Sequence, residues 1–450
     1  MNWILPPGLS LPCRELEHPV QVLRGLGGGT QGQVYEVEVN AERLALKWYL
    51  PACLAGDPSL PRRLAEAIRA TAPNQDFLWP IGLLHPTAEA EALVRCRPAG
   101  FGTLMELRPA SYVGLQEHVA GRIGIGLRQV VRACFFLADA FHALHLRGLC
   151  HKDISLGNLF LEPGSGRILI CDNDNVDVDG RDPGSVLGTP GFMAPEVLLG
   201  QARPGANSDL FSLAVLLFRL LTRSDPLRGR RELEIRCLDE PARRRLYGEE
   251  PLFVFDPHDP GNRPDPVEHA AALLTWPIYP ARLQELFQQT FGEGLRQPGR
   301  RVLTGQWRRA LSLTLDGHRL CPACGQEVFE GLENETAAPC WNCGAPLPPL
   351  PRLQLPGGTV LASPGNELHL HHLDPLAVED LRHPLARVEA HPGDGRILGL
   401  RNLSGERWIV ELGAGEGVPL EPGKTCNLAP VRRVTTPAGS ITVVREPVVR

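Results

Sequence analysis

The spacing of apolar residues changes along the chain and predicts where strands and helices lie. Over residues 20–49 apolar and polar residues alternate around a glycine cluster, which predicts paired β-strands. Over residues 127–147 apolar residues recur at helical spacing and the pattern stops at Gly148, which predicts a long buried helix. A helix that is apolar on nearly every face is predicted to open at Ser208 and to be buried as well.

The remaining segments carry shorter patterns. Pro61 suits the first turn of a helix, so a helix is predicted to start there. Residues 77–84 and 92–97 are predicted to be the next strands. Toward the C-terminus short β-like runs alternate with Gly and Pro turns, which predicts a small β-sandwich. Its predicted strands are residues 360–361, 368–373, 397–400, 408–412 and 441–444.

Composition and charge narrow the class of protein. The chain has 450 residues, enough for about two to four domains, and its 47 glycines and 43 prolines indicate a folded, loop-rich protein. The net charge of −5 does not indicate nucleic acid or an anionic membrane as partner. The first residues lack a basic leader, and the most apolar segment, residues 210–221, is too short to span a bilayer. We therefore expect a cytoplasmic protein with no membrane span and no nucleic-acid partner.

A glycine-rich turn and a lysine suggest a phosphate-binding hairpin. Glycines let backbone amides approach phosphates, and Gly27, Gly29, Gly32 and Val34 follow the pattern G-x-G-x-x-G-x-V. A strand continues after Val34, which argues against a Rossmann turn because that turn opens a helix. Lys47 follows at a distance where one hairpin would return it beneath the glycines. The alternatives are a plain glycine-rich hairpin and an edge-strand lysine that faces solvent.

The residues that follow the long helix suit phosphoryl transfer. This reaction needs a carboxylate that orients the attacking hydroxyl, and an amide with a second carboxylate that hold Mg²⁺ on the phosphates. The motif HKDISLGN at residues 151–158 supplies Asp153 and Asn158, and an apolar run then delivers Asp172. A solvated loop acid is the alternative for Asp153, and Asp174 is the alternative to Asp172 as principal metal ligand.

These stretches resemble the eukaryotic-type (Hanks-type) protein kinases. So does the motif GTPGFMAPE at residues 188–196, which is typical of Ser/Thr rather than tyrosine kinases. The resemblance covers residues 20–316 and implies an α+β, bilobal protein-kinase fold. Its N-lobe would span residues 20–100 and its C-lobe residues 101–316, after an N-terminal extension of residues 1–19.

The resemblance implies a role for each polar residue of these motifs. Asp153 would orient the substrate hydroxyl, Lys47 would hold the α/β-phosphates of ATP, and Asn158 with Asp172 would bind Mg²⁺ or Mn²⁺. The hinge that contacts adenine is expected near residues 96–102.

A kinase lysine also needs a carboxylate partner on the helix that follows it. Glu66 is the only acid between Asp57 and Asp76, so it is the expected partner of Lys47. The alternative is a solvated Glu66 that pairs with arginines at helical spacing. The expected ATP-binding residues are therefore Gly27, Gly29, Gly32, Val34, Lys47 and Glu66.

Four residues depart from the kinase pattern. Lys152 stands where the family has an Arg that often docks a phosphorylated activation loop, and a lysine lacks the bidentate fork for that contact. Ser155 replaces a Lys that touches the γ-phosphate. Asn173 and Asp174 replace the Phe and Gly that follow the metal-binding Asp. The departures at Ser155, Asn173 and Asp174 support an alternative function, a pseudokinase scaffold that binds nucleotide with little or no transfer.

The resemblance further implies contacts that support the catalytic loop. Asp209 is expected to brace the backbone of this loop. Glu196 is expected to be buried and to pair with Arg301, or with Arg300 if the register slips by one. Ser185 and Thr189 are candidate autophosphorylation sites, with a structural contact of Thr189 to Asp153 as the alternative for Thr189.

Four of the twelve cysteines form two CxxC pairs. Two such pairs can present four thiolates tetrahedrally to Zn²⁺, so Cys321, Cys324, Cys340 and Cys343 are predicted to hold a structural zinc in a ribbon at residues 317–345. The alternatives are two disulfides, disfavoured by the expected cytoplasmic location, and a redox pair, disfavoured because no helix pattern follows the first cysteines.

A proline-rich linker at residues 346–352 leads to the predicted all-β sandwich at residues 353–450. This domain faintly resembles a forkhead-associated domain, a phosphothreonine reader, for which Arg396, Arg401 and Ser404 are loose candidates. The alternative is a protein-docking sandwich without phosphate recognition.

Three histidines near the start of this domain raise the question of a second metal. A strand over residues 368–373 would place His369 and His371 on one face and His372 on the other. This arrangement argues against a shared ion.

Together these features predict a Ser/Thr protein kinase that transfers the γ-phosphate of ATP to protein hydroxyls. The zinc ribbon and β-domain would recruit a partner. The combination resembles bacterial stress-associated kinases that work with von Willebrand A-domain proteins and metal-dependent phosphatases, so proteins of these two kinds are the expected partners. A third hypothesis makes the C-terminal domain a phosphopeptide reader and the kinase domain its regulator.

Overall fold

The computed structural model describes residues 2–29, 31–96, 100–181, 188–332, 338–413 and 417–445. The chain divides into two compact units. The first comprises Met1–Ile125, Phe136–His269 and Phe287–Thr304, and the second comprises Gly126–Phe135, Ala270–Leu286 and Gly305–Arg450. No helix within the described ranges has both the length and the apolar character needed to cross a membrane.

The strands pair partly in hairpins of sequence neighbours and partly with strands farther along the chain. In chain order they are β1 (Ser10–Leu11), β2 (Val20–Gly28), β3 (Gly32–Val39), β4 (Glu42–Tyr49), β5 (Gly82–Leu84), β6 (Gly102–Glu106), β7 (Val113–Gly114), β8 (Leu149–Cys150), β9 (Leu159–Leu161), β10 (Ile168–Ile170), β11 (Asp177–Val178), β12 (His318–Leu320), β13 (Glu327–Phe329), β14 (Arg352–Leu355), β15 (Gly358–Leu361), β16 (Glu367–Leu368), β17 (Ala386–His391), β18 (Asp394–Asn402), β19 (Trp408–Leu412), β20 (Val418–Leu420), β21 (Thr425–Asn427), β22 (Val431–Thr436) and β23 (Gly439–Val444).

The α-helices concentrate in the middle of the chain. They are α1 (Pro51–Gly56), α2 (Leu60–Ala70), α3 (Ala88–Leu93), α4 (Leu115–Val119), α5 (Leu127–Leu146), α6 (Pro195–Leu198), α7 (Ala206–Thr222), α8 (Arg230–Leu233), α9 (Glu240–Arg244), α10 (Ala270–Thr275), α11 (Ala281–Phe291), α12 (Glu293–Arg296), α13 (Thr304–Asp316) and α14 (Leu370–Leu373).

A six-stranded sheet forms the N-terminal part of the first unit, in the order β1-β2-β3-β4-β6-β5. The alternating pattern buries one face of β2, whereas β4 is buried on both faces from Leu44 onward; Val22, Tyr35 and Leu46 lie in the core of this sheet. Leu5 and Leu11 are buried in the same core, and β1 pairs with β2. Part of the segment predicted as an N-terminal extension is therefore packed into this sheet.

The strand predicted at residues 92–97 is wrong. Residues Ala88–Leu93 form α3, and the Thr87 hydroxyl accepts a hydrogen bond from the Ala90 amide (3.2 Å) at its start. The sequence AEAEAL has high helix propensity, and this N-cap outweighs the short apolar run that indicated a strand. The strand beside β4 is β6 instead. Residues 97–99 of the expected hinge lie outside the described residues.

Two short antiparallel strand pairs flank the loops that contain the motif at residues 151–158 and Asp172. Strand β8 pairs with β11, and β9 pairs with β10. The motif at residues 151–158 therefore lies between β8 and β9, and Asp172 follows β10 directly. Helix α7 is buried on nearly every face, as predicted.

Two features make up the C-terminal part of the second unit. The β12–β13 hairpin carries the first cysteine pair, and Cys321, Val328 and Cys340 share a small core with Trp341 and Leu347. Two antiparallel sheets, in the orders β15-β14-β23-β22-β19-β20 and β16-β17-β18-β21, enclose a second, larger core.

The strand predicted at residues 368–373 is wrong beyond Leu368, since Leu370–Leu373 forms the helical turn α14. The ring of His372 closes this turn by accepting a hydrogen bond from the His369 amide (2.9 Å). Burial lowers the pKa of His369 to about 3, which keeps its ring neutral. The rings of His371 and His372 are tilted by 42° to each other, with centroids 4.0 Å apart. All three rings are buried together rather than on two faces.

Candidate active site

The glycine hairpin and Lys47 lie on adjacent strands. The turn between β2 and β3 is closed by the Gly29 amide, which donates to the Gly32 carbonyl (2.9 Å). Val34 on β3 lies opposite both Gly27 on β2 and Lys47 on β4. At Gly32 a Cβ would lie 2.3 Å from a backbone carbonyl oxygen of β4, so only glycine fits. The hairpin therefore places Lys47 beside the glycines.

Lys47 is buried and contacts two carboxylates from the loop after β10. Its Nζ lies 2.5 Å from Asp174 Oδ2 and also contacts Asp172 Oδ1. The Gln31 side-chain oxygen accepts a further hydrogen bond from Nζ (3.0 Å). Burial favours a lower pKa for Lys47, but the charges of Asp174 and Asp172 outweigh it and raise the pKa above its ordinary value. The lysine is therefore held in its charged form.

The loop after β10 turns sharply at Asp172, whose φ of 58° and ψ of 56° lie in the left-handed region. The 3₁₀ turn Asn173–Asn175 follows. Asn173, where kinases carry Phe, is buried, and its amide donates to the carbonyls of Leu78 (2.9 Å) and Ile170 (3.2 Å). Hydrogen bonds thus anchor this loop at a position where the family uses apolar packing.

Asp209 of α7 braces the catalytic loop, as predicted. Its carboxylate accepts hydrogen bonds from the amides of His151 (2.6 Å) and Lys152 (2.9 Å). The His145 Nε2 lies 3.2 Å from the same carboxylate. The carboxylate is almost fully buried, so these charge-assisted bonds fix the loop backbone ahead of Asp153.

The Asp153 carboxylate lies where hydroxyl groups can reach it. The Thr189 hydroxyl donates to its Oδ1 (2.6 Å), which matches the alternative of a structural contact for Thr189. Ser185, the other candidate phosphorylation site, lies outside the described residues. The Asn175 amide donates to its Oδ2 at 3.4 Å. Asn158 lies in the 3₁₀ turn Leu156–Asn158, and its carbonyl accepts a hydrogen bond from the Cys171 amide (2.8 Å). This bond ties the loop of residues 151–158 to the residue that precedes Asp172.

Lys152 is buried and faces a carboxylate. Its Nζ lies 3.6 Å from Asp177 Oδ2, and both side chains are nearly inaccessible to solvent. Arg181 approaches the other oxygen of Asp177 at 3.4 Å. Lys152 stands at the Arg position of the kinase motif, and the carboxylate of Asp177 therefore balances its positive charge.

The predicted pairing of Glu66 with Lys47 is wrong in this structure. The Glu66 carboxylate pairs with Arg181 (2.6 Å) and Arg62 (3.4 Å) and is 38% exposed. The charged residue of α2 that is buried is Arg63, whose guanidinium pairs with Asp57. This outcome matches the alternative of a surface Glu66 paired with arginines.

Glu196 and Arg301 form the predicted buried pair. Two parallel hydrogen bonds of 2.7 Å join the guanidinium to the two carboxylate oxygens. The Arg301 Nε donates to the Gly294 carbonyl (2.9 Å). The pairing excludes the alternative partner, Arg300, which is exposed.

The polar groups at this site fit a hard divalent cation. Mg²⁺ and Mn²⁺ prefer carboxylate and amide oxygens. The carboxylates of Asp172 and Asp174 both contact the Lys47 ammonium group. The backbone carbonyl of Asn158 is hydrogen-bonded to the amide of Cys171, the residue before Asp172. Asn158 with Asp172 stays the predicted metal-binding pair, with Asp174 as the alternative to Asp172, and such a metal would neutralise phosphate charge when bound.

The four predicted zinc ligands converge in the second unit. Their sulfur atoms all lie within 4.8 Å of one another, and two of the distances, Cys321–Cys343 and Cys324–Cys340, are 3.7 Å. A tetrahedral site with Zn–S bonds of about 2.3 Å requires sulfur separations of about 3.8 Å. The cysteines are not joined by disulfides. The donor set therefore fits a closed, structural Zn²⁺ site.

The two cysteine turns have the same backbone geometry. Gly325 and Gly344 both have positive φ, of 74° and 69°. Each glycine amide donates to the carbonyl of the first cysteine of its pair, Cys321 or Cys340, at 2.8 Å. The two knuckles thus need glycine at these positions.

The loose candidates for phosphothreonine recognition have partners within the second unit. Arg396 pairs with Asp394 (2.9 Å), and Arg401 lies 3.4 Å from Glu389. The Ser404 hydroxyl donates to the side-chain oxygen of Asn402 (2.7 Å). Phosphothreonine recognition and protein docking both stay predictions for this domain.

Sequence reasoning missed the partners that Lys47 and Lys152 acquire. Asp174 was considered as a metal ligand and not as a lysine partner, and Asp177 was given no role. A signal was present for Asp174, because an acid replaces the glycine of the kinase motif.

Comparison with known proteins bears on this geometry. Residues 104–250 match the sequence profile of the protein kinase domain. CBL-interacting protein kinase 4 of Oryza sativa subsp. japonica is 31% identical over 242 residues, which are 49% of this chain and 51% of that protein. Serine/threonine-protein kinase PknJ of Mycobacterium tuberculosis is 28% identical over 220 residues, 46% of this chain and 34% of that protein.

Serine/threonine-protein kinase 40 of Homo sapiens is 29% identical over 117 residues, 25% of this chain and 27% of that protein. The chain therefore spans about half of the first relative's length and less of the other two. Together with the site geometry, these matches support a protein kinase domain of the serine/threonine class in this chain.

Proposed function

We propose that the protein is a serine/threonine protein kinase that transfers the γ-phosphate of Mg-ATP to protein hydroxyls. The observation that carries this proposal is the contact between Lys47 and Asp172, side chains 125 residues apart in sequence. One is the residue that would hold phosphates and the other the residue that would hold their metal. The matches to named serine/threonine kinases support the same activity.

The roles of the residues follow from their positions. Asp153 already accepts a hydrogen bond from one hydroxyl, that of Thr189. Among the residues that the structure describes, its second oxygen has only the long contact to Asn175, so this oxygen would receive the substrate hydroxyl, orient it and accept its proton. Lys47 would bind the α/β-phosphates, with the glycine hairpin covering them.

The test is transfer of labelled phosphate from ATP to a generic basic protein in the presence of Mg²⁺. Asp153→Asn keeps the size of the side chain and removes the carboxylate, so kcat is expected to fall by roughly 10²–10⁴-fold. Asp394→Asn, a surface substitution in β18 of the second unit, serves as matched control and should transfer at the wild-type rate. Equal labelling by wild type and Asp153→Asn, or none by either, would refute the enzyme.

A pseudokinase scaffold is the second candidate function. Its support is the departure of Ser155, Asn173 and Asp174 from the kinase pattern, together with a Lys47 that both loop acids engage. A scaffold would bind Mg-ADP in the wild type and show no label transfer under any metal, Mn²⁺ included. Transfer that depends on Asp153 would exclude it.

The C-terminal modules are proposed to recruit partners. Four cysteines that fit Zn²⁺ and a β-rich region suit a structural ribbon and a docking surface. A von Willebrand A-domain protein and a metal-dependent phosphatase of a bacterial stress response stay the predicted partners. Loss of binding to such proteins on deletion of residues 353–450 would support this role, and failure of the full chain to bind either would refute it.

A further inference from the structure

Helix α2 presents a cation, rather than a carboxylate, to the site. The Arg63 side chain is 6% exposed, pairs with Asp57 Oδ2 at 2.7 Å, and donates to the backbone carbonyl of Asp174 at 3.2 Å. A lysine and an arginine that face the same loop repel each other unless acids lie between them. The carboxylate that balances Lys47 must therefore come from outside α2.

The two carboxylates that contact Lys47 differ in exposure. The Asp174 side chain is 7% exposed, whereas the Asp172 side chain is 30% exposed. Asp174 is held in place from both sides, by the Arg63 bond to its carbonyl and by the amide bonds of the preceding Asn173. The ring of Tyr49 lies 5.1 Å from the Lys47 ammonium and completes the enclosure.

We propose that Asp174 is the positioning residue that anchors Lys47, in place of a carboxylate on the helix. This inference rests on the proposed kinase function. Asp172 reaches solvent and is the acid that a nucleotide-bound metal can approach. Asp174 is enclosed and stays with the lysine, so one loop supplies both the metal ligand and the lysine's partner.

The assignment has a consequence for Glu66 and α2. In this arrangement the lysine is oriented by the same loop that binds the metal, and displacement of α2 does not carry its partner away. Glu66, paired with Arg181 at the surface, is then dispensable for nucleotide binding. A metal role for Asp174 makes a different prediction, because a metal ligand matters only when the metal is present.

Affinity for ADP, measured by calorimetry with Mg²⁺ and again with EDTA, separates these roles. For Asp174→Asn we expect Kd to rise by roughly tenfold or more in both conditions, because the lysine loses its buried partner. Asp172→Asn should weaken binding only with Mg²⁺. Asp174→Glu should recover part of the loss, and Glu66→Gln should match the wild type in both conditions.

Two results would overturn the proposal. One is an Asp174→Asn variant that weakens binding only with Mg²⁺, which would make Asp174 a metal ligand. The other is a Glu66→Gln variant that loses affinity by roughly tenfold, as loss of a lysine partner requires. Because Glu66 is at the surface, the second result stays accessible even if Asp174→Asn fails to fold. A wild-type chain that binds no ADP at all would refute the kinase function instead.

Discussion

At the scale of single residues, the geometry of one buried ion pair decides which of two adjacent arginines pairs with Glu196. Arg301 and Arg300 are adjacent, and both were candidate partners of Glu196. The Arg301 guanidinium is fully buried and binds the carboxylate through two parallel bonds, with further bonds to the carbonyls of Gly294 and Asn207. A planar fork suits this arrangement, and an ammonium group cannot reproduce it.

Arg301→Lys is therefore expected to lower the free energy of unfolding by about 1–3 kcal/mol, since charge is kept but several hydrogen bonds are lost. Denaturant unfolding of the purified chain measures this change. Arg300→Lys is the matched control, because the neighbouring side chain is exposed, and its unfolding curve should overlay that of the wild type. Equal unfolding curves for the two variants would show that the buried pair is not what stabilises this region.

The residue contacts that could be predicted are those in which both partners lie in sequence motifs of the kinase family. Asp209, Thr189 and Arg301 all lie in such motifs; Asp209 and Arg301 make the predicted contacts, and Thr189 makes the alternative one. Glu66 was selected only because it was the sole acid on its helix. Its failure reflects the inward position of Arg63, three residues earlier, which composition does not reveal.

At the scale of elements, a carboxylate on strand β13 accepts hydrogen bonds from the free amides in the first turn of helix α5. The Glu327 carboxylate on β13 accepts hydrogen bonds from the amides of Leu127 and Arg128, the latter at 3.3 Å. The His318 Nε2 lies 3.2 Å from the same carboxylate. A carboxylate at a helix N-terminus satisfies free amides and interacts favourably with the helix dipole.

Glu327→Ala should expose these amides and destabilise the start of α5 by about 1–2 kcal/mol. Hydrogen exchange at Leu127 and Arg128 is the measurement, and faster exchange there than in wild type is expected. Glu389→Ala on β17 provides a control at a surface ion pair and should leave these amides unchanged. Unaltered protection in Glu327→Ala would argue against a capping role.

The elements that could be predicted are those long enough for the spacing of apolar residues to repeat several times. Helices α5 and α7 and the strands of the first hairpins have such patterns. Helices α3 and α14 have only six and four residues, and each is set by a local side-chain bond, from Thr87 or His372. Patterns of that length do not distinguish a strand from a helical turn.

At the scale of the whole molecule, the second unit combines segments that the family resemblance treats separately. Gly126–Phe135 and Ala270–Leu286 belong to it together with the cysteine turns and the β-rich region. Tyr279 stacks on Phe329 at 5.8 Å, and Arg132 pairs with Glu367 at 2.9 Å. Contacts of this kind could not be predicted, because no sequence motif links the residues that they join. The CxxC spacing did predict the cysteine cluster.

Zinc content is the test for this part of the molecule. The apolar core around the cysteines is small, so the ribbon should depend on metal for its fold. We expect one zinc per chain by metal analysis, lost in Cys340→Ser with increased proteolysis of residues 317–345. Cys237→Ser, at an exposed single cysteine, should keep the full metal content. A disulfide between the two pairs in the purified chain would contradict the assignment.

The buried contact between Lys152 and Asp177 has a consequence for how such an enzyme would be controlled. A basic residue already neutralised from within leaves little attraction for an added phosphate group. The carboxylate of Asp177 then supplies, without any modification, the negative charge that a phosphorylated segment would otherwise place beside Lys152. Its output would follow the supply of nucleotide and acceptor protein rather than the action of an upstream enzyme.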